Sequence, residues 1–276
     1  MKVVETVDEV FEAIQRVKER SGAAPATNFF PARPKLENWV SRREFLTAGK
    51  GETVAFFRKD RGFLHLYFVA GTLESLDEFL KDAEFLRENR LAADLIGAGA
   101  SLPPMSRVLE ASGFAPYRTL IRLARSGASP VPPANHPGTD EGKIEFATAK
   151  DAAAVQELLE ANFDAYADQL PLPYETDAAI AARQVLVCRE GGKIAALLHF
   201  ETQGVTSTVR YWLTSPEFRD RGLGSKLLKH YLNTQASARR FTLWVGAGNE
   251  NALMKYAAFG YTADGLKDEI LLNQVP

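Results

Sequence analysis

The segment Ser126-Gly127-Ala128-Ser129-Pro130-Val131-Pro132-Pro133-Ala134-Asn135-His136-Pro137-Gly138-Thr139 constrains the fold of this chain more than any other. It has no apolar period, and its prolines fix φ and supply no backbone N–H. It can neither continue a helix nor sit inside a sheet, and so runs extended over the surface. The chain of 276 residues is thereby cut near its middle. Two halves of ordinary domain size follow, residues 1–125 and 144–276, with a linker at 126–143. A content of 46% hydrophobic and 25% charged residues suits two packed bodies and excludes a largely disordered chain.

In the second half, elements of both kinds alternate. Ile144–Phe146 opens as a strand, and Lys150–Phe163 places Ala154, Leu158, Leu159 and Ala161 at helical spacing. A short helix is predicted over Asp177–Arg183. A hairpin turns at Gly191-Gly192 between strands Gln184–Arg189 and Lys193–Thr202. Strand Thr206–Thr214, an amphipathic helix from Gly222 to about Ala236, strand Phe241–Val245, helix Asn251–Phe259 and strand Asp268–Leu272 complete the series. The pattern is α/β, a mixed central sheet flanked by helices.

The first half repeats part of this plan. Leu95-Ile96-Gly97-Ala98-Gly99 parallels Trp244-Val245-Gly246-Ala247-Gly248, and each precedes a helix ending in glycine and an aromatic, Gly113-Phe114 and Gly260-Tyr261. Closing strands follow at Leu120–Leu123 and Glu269–Leu272. Landmarks that keep their order point to two similar domains in tandem, produced by duplication.

The stretch Thr214-Ser215-Pro216-Glu217-Phe218-Arg219-Asp220-Arg221-Gly222-Leu223-Gly224-Ser225-Lys226 joins a strand to a helix. The first N–H groups of that helix lack intrahelical partners and carry the positive end of its dipole. Gly222 and Gly224 are expected to let an anion approach the backbone, with Arg219, Arg221 and Lys226 adding charge, so the turn suits a phosphate or pyrophosphate. A Walker A loop is excluded because no glycine stands five positions before Gly224. A dinucleotide fingerprint is excluded because its third glycine falls on Leu227.

Downstream, Gly248-Asn249-Glu250-Asn251-Ala252-Leu253-Met254-Lys255-Tyr256-Ala257-Ala258-Phe259-Gly260-Tyr261 follows a strand. Together the two segments resemble the GNAT superfamily of acyl-CoA-dependent N-acyltransferases. That family's Gln/Arg-x-x-Gly-x-Gly/Ala loop is matched by Arg219, Gly222 and Gly224. Its Asn-x-x-Ala-x-x-x-Tyr-x-x-x-Gly-Phe signature is matched by Asn249, Ala252, Tyr256 and Gly260, with Tyr261 in place of Phe. The resemblance covers residues 144–276 and implies that the backbone of Arg221, Gly222, Leu223, Gly224 and Ser225 holds the CoA pyrophosphate. It also implies that Leu213 and Thr214 pair with the pantetheine amides, that Asn249 contacts that arm or holds its loop, and that Tyr256 is the acid for the departing thiolate. A helix residue packed on the sheet is the plainer reading of Tyr256.

The resemblance implies an acetyl or other short acyl group moved from acyl-CoA to an amine by direct attack in a ternary complex. A glutamate serves as base in much of the family, but the matching position here is Thr208. Glu201 is the substitute candidate, and equally a solvated strand end. His199 reads as a strand histidine. The Asp164-Ala165-Tyr166-Ala167-Asp168-Gln169-Leu170-Pro171 loop lines the acceptor pocket in this family, though it also reads as a plain polar loop. Alternatives are an acyl carrier protein as donor, met by Arg219, Arg221, Lys226 and Lys229, and a non-catalytic CoA-binding or scaffold protein. Tandem GNAT-fold ligases that use aminoacyl-RNA would need a basic field.

The first half reads as a degenerate relative, with Leu109 at the Tyr256 position and Glu74 and Asp77 where phosphate would bind. It would supply a wall of the acceptor site or a partner surface. Phe29, Phe30 and Trp39 are expected in its core. With 33 Lys and Arg against 35 Asp and Glu, no global field collects nucleic acid. A single cysteine, Cys188 in an apolar run, excludes a disulfide framework and a cysteine-based zinc site. No metal is called for. No apolar run reaches the roughly 20 residues that cross a bilayer, and the N-terminus is no signal peptide, so a cytoplasmic protein without membrane contact is expected.

Overall fold

The structure is a computed structural model describing residues 1–22, 24–81, 84–131 and 142–274. Part of the expected linker, residues 132–141, lies outside the described residues. The chain forms two compact units, one of residues 1–120 and 265–276, the other of residues 121–264.

Unit 1 contains β1 (Lys2–Val3), α1 (Val7–Ser21), β2 (Ala26–Thr27), α2 (Arg33–Ser41), β3 (Phe45–Lys50), β4 (Thr53–Asp60), β5 (Phe63–Ala70), α3 (Leu73–Lys81), α4 (Phe85–Glu88), β6 (Leu91–Ala98), α5 (Leu102–Ala111) and the start of β7 (Ala115–Ser126). Its sheet runs β1-β3-β4-β5-β6, antiparallel except for the parallel β5–β6 pair. One face buries Phe57, Leu66 and Phe68 against Leu76 and Leu109 from α3 and α5. The other buries Phe45 and Phe56 against Val10, Ile14, Leu36 and Trp39 from α1 and α2. Trp39 and Phe29 are core residues as expected, whereas Phe30 is exposed.

Unit 2 contains the end of β7, then β8 (Lys143–Phe146), α6 (Ala152–Asn162), α7 (Pro173–Ala181), β9 (Val185–Glu190), β10 (Lys193–Gln203), β11 (Thr206–Thr214), α8 (Leu223–Thr234), β12 (Arg240–Gly246), α9 (Glu250–Ala258) and the start of β13 (Thr262–Leu272). β8-β9-β10-β11 are antiparallel neighbours, and β11–β12 is parallel. Leu227, Leu228 and Tyr231 of α8 cover one face with Phe241 and Leu243. Val155, Leu159 and Ile180 of α6 and α7 cover the other with Leu197 and Tyr211. Helix α7 begins at Pro173, earlier than its apolar pattern suggested, because proline suits a first helical turn and Glu175 accepts from Leu172 N at 2.9 Å.

The element order of unit 1 recurs in unit 2, with β2 the one added strand and α3–α4 in the place of α8. The closing strands depart from the sequence reading. Asp268–Leu272 was expected to close the second half, yet residues 265–272 belong to unit 1, where 266–272 pair antiparallel with β6. Conversely, residues 121–126 of β7 belong to unit 2, where Leu123 joins the α8 core. An apolar alternation states which face of a strand is buried, but not which sheet edge receives it. Asn273 fixes the arrangement in unit 1, accepting from Leu91 N at 2.7 Å and donating to the Leu86 and Asn89 carbonyls.

The strand from β13 carries Asp268, 5% exposed, into unit 1. Burial first, then the charges of Asp94 and Glu269, push its carboxyl well above the usual range. The folded chain therefore keeps a proton that the unfolded chain releases, and stability falls as pH rises from the ordinary carboxylate range through the folded pKa. Asp268→Asn is expected to raise Tm at pH 8, by about 2–4 °C per kcal/mol recovered, with the gain shrinking toward pH 4. Thermal melts across that range check it, and a gain independent of pH would contradict it.

Candidate active site

Strands β11 and β12 pair only from Thr206↔Arg240 to Val209↔Leu243. Beyond Val209 the β11 edge has no β12 partner among the described residues, and its N–H and C=O groups are open to another extended chain. A bulge at His199/Phe200 in the β10–β11 pairing lies beside this point. It turns Val209 into the α8 core and Tyr211 into the α6–α7 core.

A cavity of about 640 Å³ opens there. Its walls are Trp212, Leu213 and Thr214 of β11, Phe218–Asp220 and Gly222–Ser225 of the turn, and Asn249, Asn251, Ala252, Lys255 and Tyr256 at α9, with Asn162 and Phe163 at the end of α6. The sequence reading missed Trp212, Lys255, Asn162 and Phe163. Lys255 was within reach of helical spacing, since 251, 252, 255 and 256 share one face of α9.

The turn leaves backbone donors open at the start of α8. Gly222 caps α8 at φ +73° with no side-chain cap, and no acidic residue lies in the first turn. The first N–H groups of α8 thus face the cavity without a competing side chain. Gly224 serves a purpose other than the one expected of it. A Cβ there would meet Thr214 Oγ1 at 2.6 Å and the Trp212 ring at 3.4 Å, so glycine lets α8 approach β11. Helix α3, the corresponding helix of unit 1, is capped by itself. Ser75 N donates to Thr72 Oγ1 and Thr72 N to Ser75 Oγ, both at 3.1 Å, and Glu74 stands in the first turn.

The expected cations divide. Arg219 lines the cavity, exposed. Arg221 is ion-paired with Glu190 and packed over Phe218, and Lys226 donates to the Gly142 carbonyl at 3.0 Å. Neither lines the cavity; Lys255 does. Asn249 caps α9, its side chain accepting from Ala252 N at 3.1 Å, and so orders the cavity's far wall.

Tyr256 is buried on α9, its ring 5.2 Å from Trp212 and 5.8 Å from Tyr261. Burial alone pushes its phenol above the ordinary tyrosine range. The group therefore stays protonated at neutral pH, a hydrogen-bond donor facing the cavity, and full proton transfer to a thiolate runs uphill.

Glu201 is not brought to the cavity. It lies 3.7 Å from Arg210, whose charge also senses Glu175 of α7. Asp164 and Asp168 hold their own loop: Asp164 accepts from Tyr166 N and Ala167 N, and Asp168 from Asp164 N. Tyr211 donates to the Asp168 and Gln169 carbonyls, and burial pushes its phenol up to about 12. His199 is a buried strand residue beside Tyr211, and Cys188 is fully buried, its thiol pushed up by burial. Among the described residues no group of three His, Cys, Asp or Glu could hold a metal, and no helix is long and apolar enough to cross a membrane.

The model of the Acetyltransferase (GNAT) family matches residues 152–261, from α6 through the turn after α9. Residues 152–261 form a GNAT acetyltransferase domain. Similar solved structures span both units. A GCN5-related N-acetyltransferase from Sphaerobacter thermophilus is 17% identical with a TM-score of 0.64, covering 98% of this chain and 94% of its own. A tandem GNAT protein from the clavulanic acid biosynthesis pathway is 12% identical with a TM-score of 0.65, covering 99% of this chain and 98% of its own. At these identities the likeness concerns the fold, which is that of tandem GNAT domains. No curated protein sequence matches significantly. In this GNAT domain Thr208, where much of the family has a glutamate, shares a 2.8 Å hydrogen bond with Thr242 of β12. Leu109, at the Tyr256 position of unit 1, is a fully buried core residue.

Proposed function

We propose that unit 2 transfers an acetyl or other short acyl group from acyl-CoA to an amine by direct attack in a ternary complex. The observation that carries this is a single cavity shared by an uncapped helix N-terminus, an unpaired strand edge and a buried phenol. The N–H groups from Arg221 to Ser225 would hold the pyrophosphate, with charge from Arg219 and Lys255. Leu213 and Thr214 would extend the sheet to the pantetheine amides. Asn249 would hold the loop beneath them. The amine lone pair attacks the thioester carbonyl carbon, the C–S bond breaks, and Tyr256 donates a hydrogen bond, then its proton, to the departing sulfur. The ammonium proton leaves to water, and solvent reprotonates the phenol.

An acyl carrier protein would need the same rim of cations, yet Arg221 and Lys226 are already engaged. A second reading, CoA binding without turnover, is favoured by the Thr208–Thr242 bond standing where a base would be. Calorimetric titration with acetyl-CoA, followed by thiol release over a panel of amines, separates the two. Ser225→Glu, at an exposed position in the first turn of α8, is expected to abolish binding with the circular dichroism of the fold retained. Undiminished binding in that variant would sink the site.

A further inference from the structure

Trp212 lies on β11 beyond the last residue paired with β12, and its side chain forms part of the cavity wall. Its indole N–H donates to the Gly224 carbonyl at 3.0 Å. That carbonyl belongs to the same planar peptide as the Ser225 N–H, and in a trans peptide the two bonds point in opposite directions. Fixing one therefore fixes the other. Lys226 N is the first in α8 to bond back within the helix, to Gly222 O at 3.0 Å, so Ser225 N is the last donor left for an anion. A donor on the carbonyl also polarises the peptide and strengthens its N–H. The contact depends on the residue at 224: a Cβ there would come to 3.5 Å from the indole nitrogen and collide with Thr214 Oγ1.

We propose that Trp212 is a positioning residue for the donor's phosphates, acting through the Gly224–Ser225 peptide. This rests on the acyl-CoA reading of the cavity. Trp212 touches no phosphate itself; it aims and strengthens the N–H that does. Its ring also packs on Tyr256, 5.2 Å between centroids, which makes Trp212→Phe the informative substitution. Phenylalanine keeps an aromatic ring against Tyr256 while removing the N–H together with the second ring.

Calorimetry on the full chain with two probes, CoA and ADP, tests this. Trp212→Phe is expected to weaken both by the same factor, about 3- to 10-fold, the range of one hydrogen bond. The change in indole fluorescence on adding CoA should disappear in the variant, while Trp39 and Trp244 remain. Unchanged affinity for both probes, with only Tm moved, would show a packing role and overturn the proposal. Weaker CoA with unchanged ADP would also overturn it, because the effect would then lie at the pantetheine. If the unaltered chain binds neither probe, the acyl-CoA reading itself fails and this one falls with it.

Discussion

Tyr256→Phe is expected to lower thiol release at saturating acetyl-CoA by about 100-fold, the low end for loss of a positioned acid. The dissociation constant for CoA should stay within about twofold, because the backbone donors proposed to hold the phosphates belong to α8 and the phenol to α9. Folding should be little affected, since the phenol makes no hydrogen bond to any described residue and its ring contacts survive in phenylalanine. The pH profile carries a sign. Burial raises the Tyr256 pKa, so the phenol remains protonated through the neutral range and adds no basic limb there. A rise in rate with pH would then report the acceptor amine losing its proton. Stopped-time thiol assays with the unaltered chain and the variant, from about pH 6 to 9, check each part. Full turnover in Tyr256→Phe would remove the phenol from the chemistry.

Deleting residues 265–276 is expected to unfold unit 1 and spare CoA binding by unit 2. The removed strand pairs with β6 over Leu266–Leu272 and buries Ile270, Leu271 and Leu272 almost completely. At about 1.5–3 kcal/mol per buried side chain, three such residues amount to roughly 5–9 kcal/mol, comparable with the whole stability of a domain. The Asn273 bonds to Leu86, Asn89 and Leu91 go as well. Hydrogen exchange should show residues 45–98 losing protection while α8 and β12 keep theirs. Were 144–276 a self-contained domain, the same deletion would instead cost CoA binding.

Most of the cavity's lining was legible in the sequence because it is local. A strand end, a glycine in the left-handed region at 222 and an uncapped helix form one continuous segment, and Asn249 to Tyr256 another. Where the sequence reading fell short, side chains distant in the chain meet. Gly224 was credited with admitting an anion, yet its necessity comes from Thr214 and Trp212 across the turn. Arg221 and Lys226 were credited with phosphate binding, yet Glu190 and the Gly142 carbonyl claim them. Glu201 lies beside Arg210, a neighbour that strand spacing does not report.

Two things were determined by the sequence alone: a tandem of α/β halves, and the confinement of the glycine-containing, uncapped strand-to-helix turn to the second. Periodicity, glycine placement and the acidic start of α3 carry both, and none of them depends on distant partners. Which sheet each closing strand joins was decided only in the tertiary structure. β7 and β13 are long strands of mixed polarity whose pattern does not name an edge, and the choice follows from the side chains waiting at β6 and under α8. The tertiary structure likewise selected which cations face the cavity, because an exposed arginine or lysine goes to the nearest carboxylate or carbonyl, and sequence spacing does not report that neighbour.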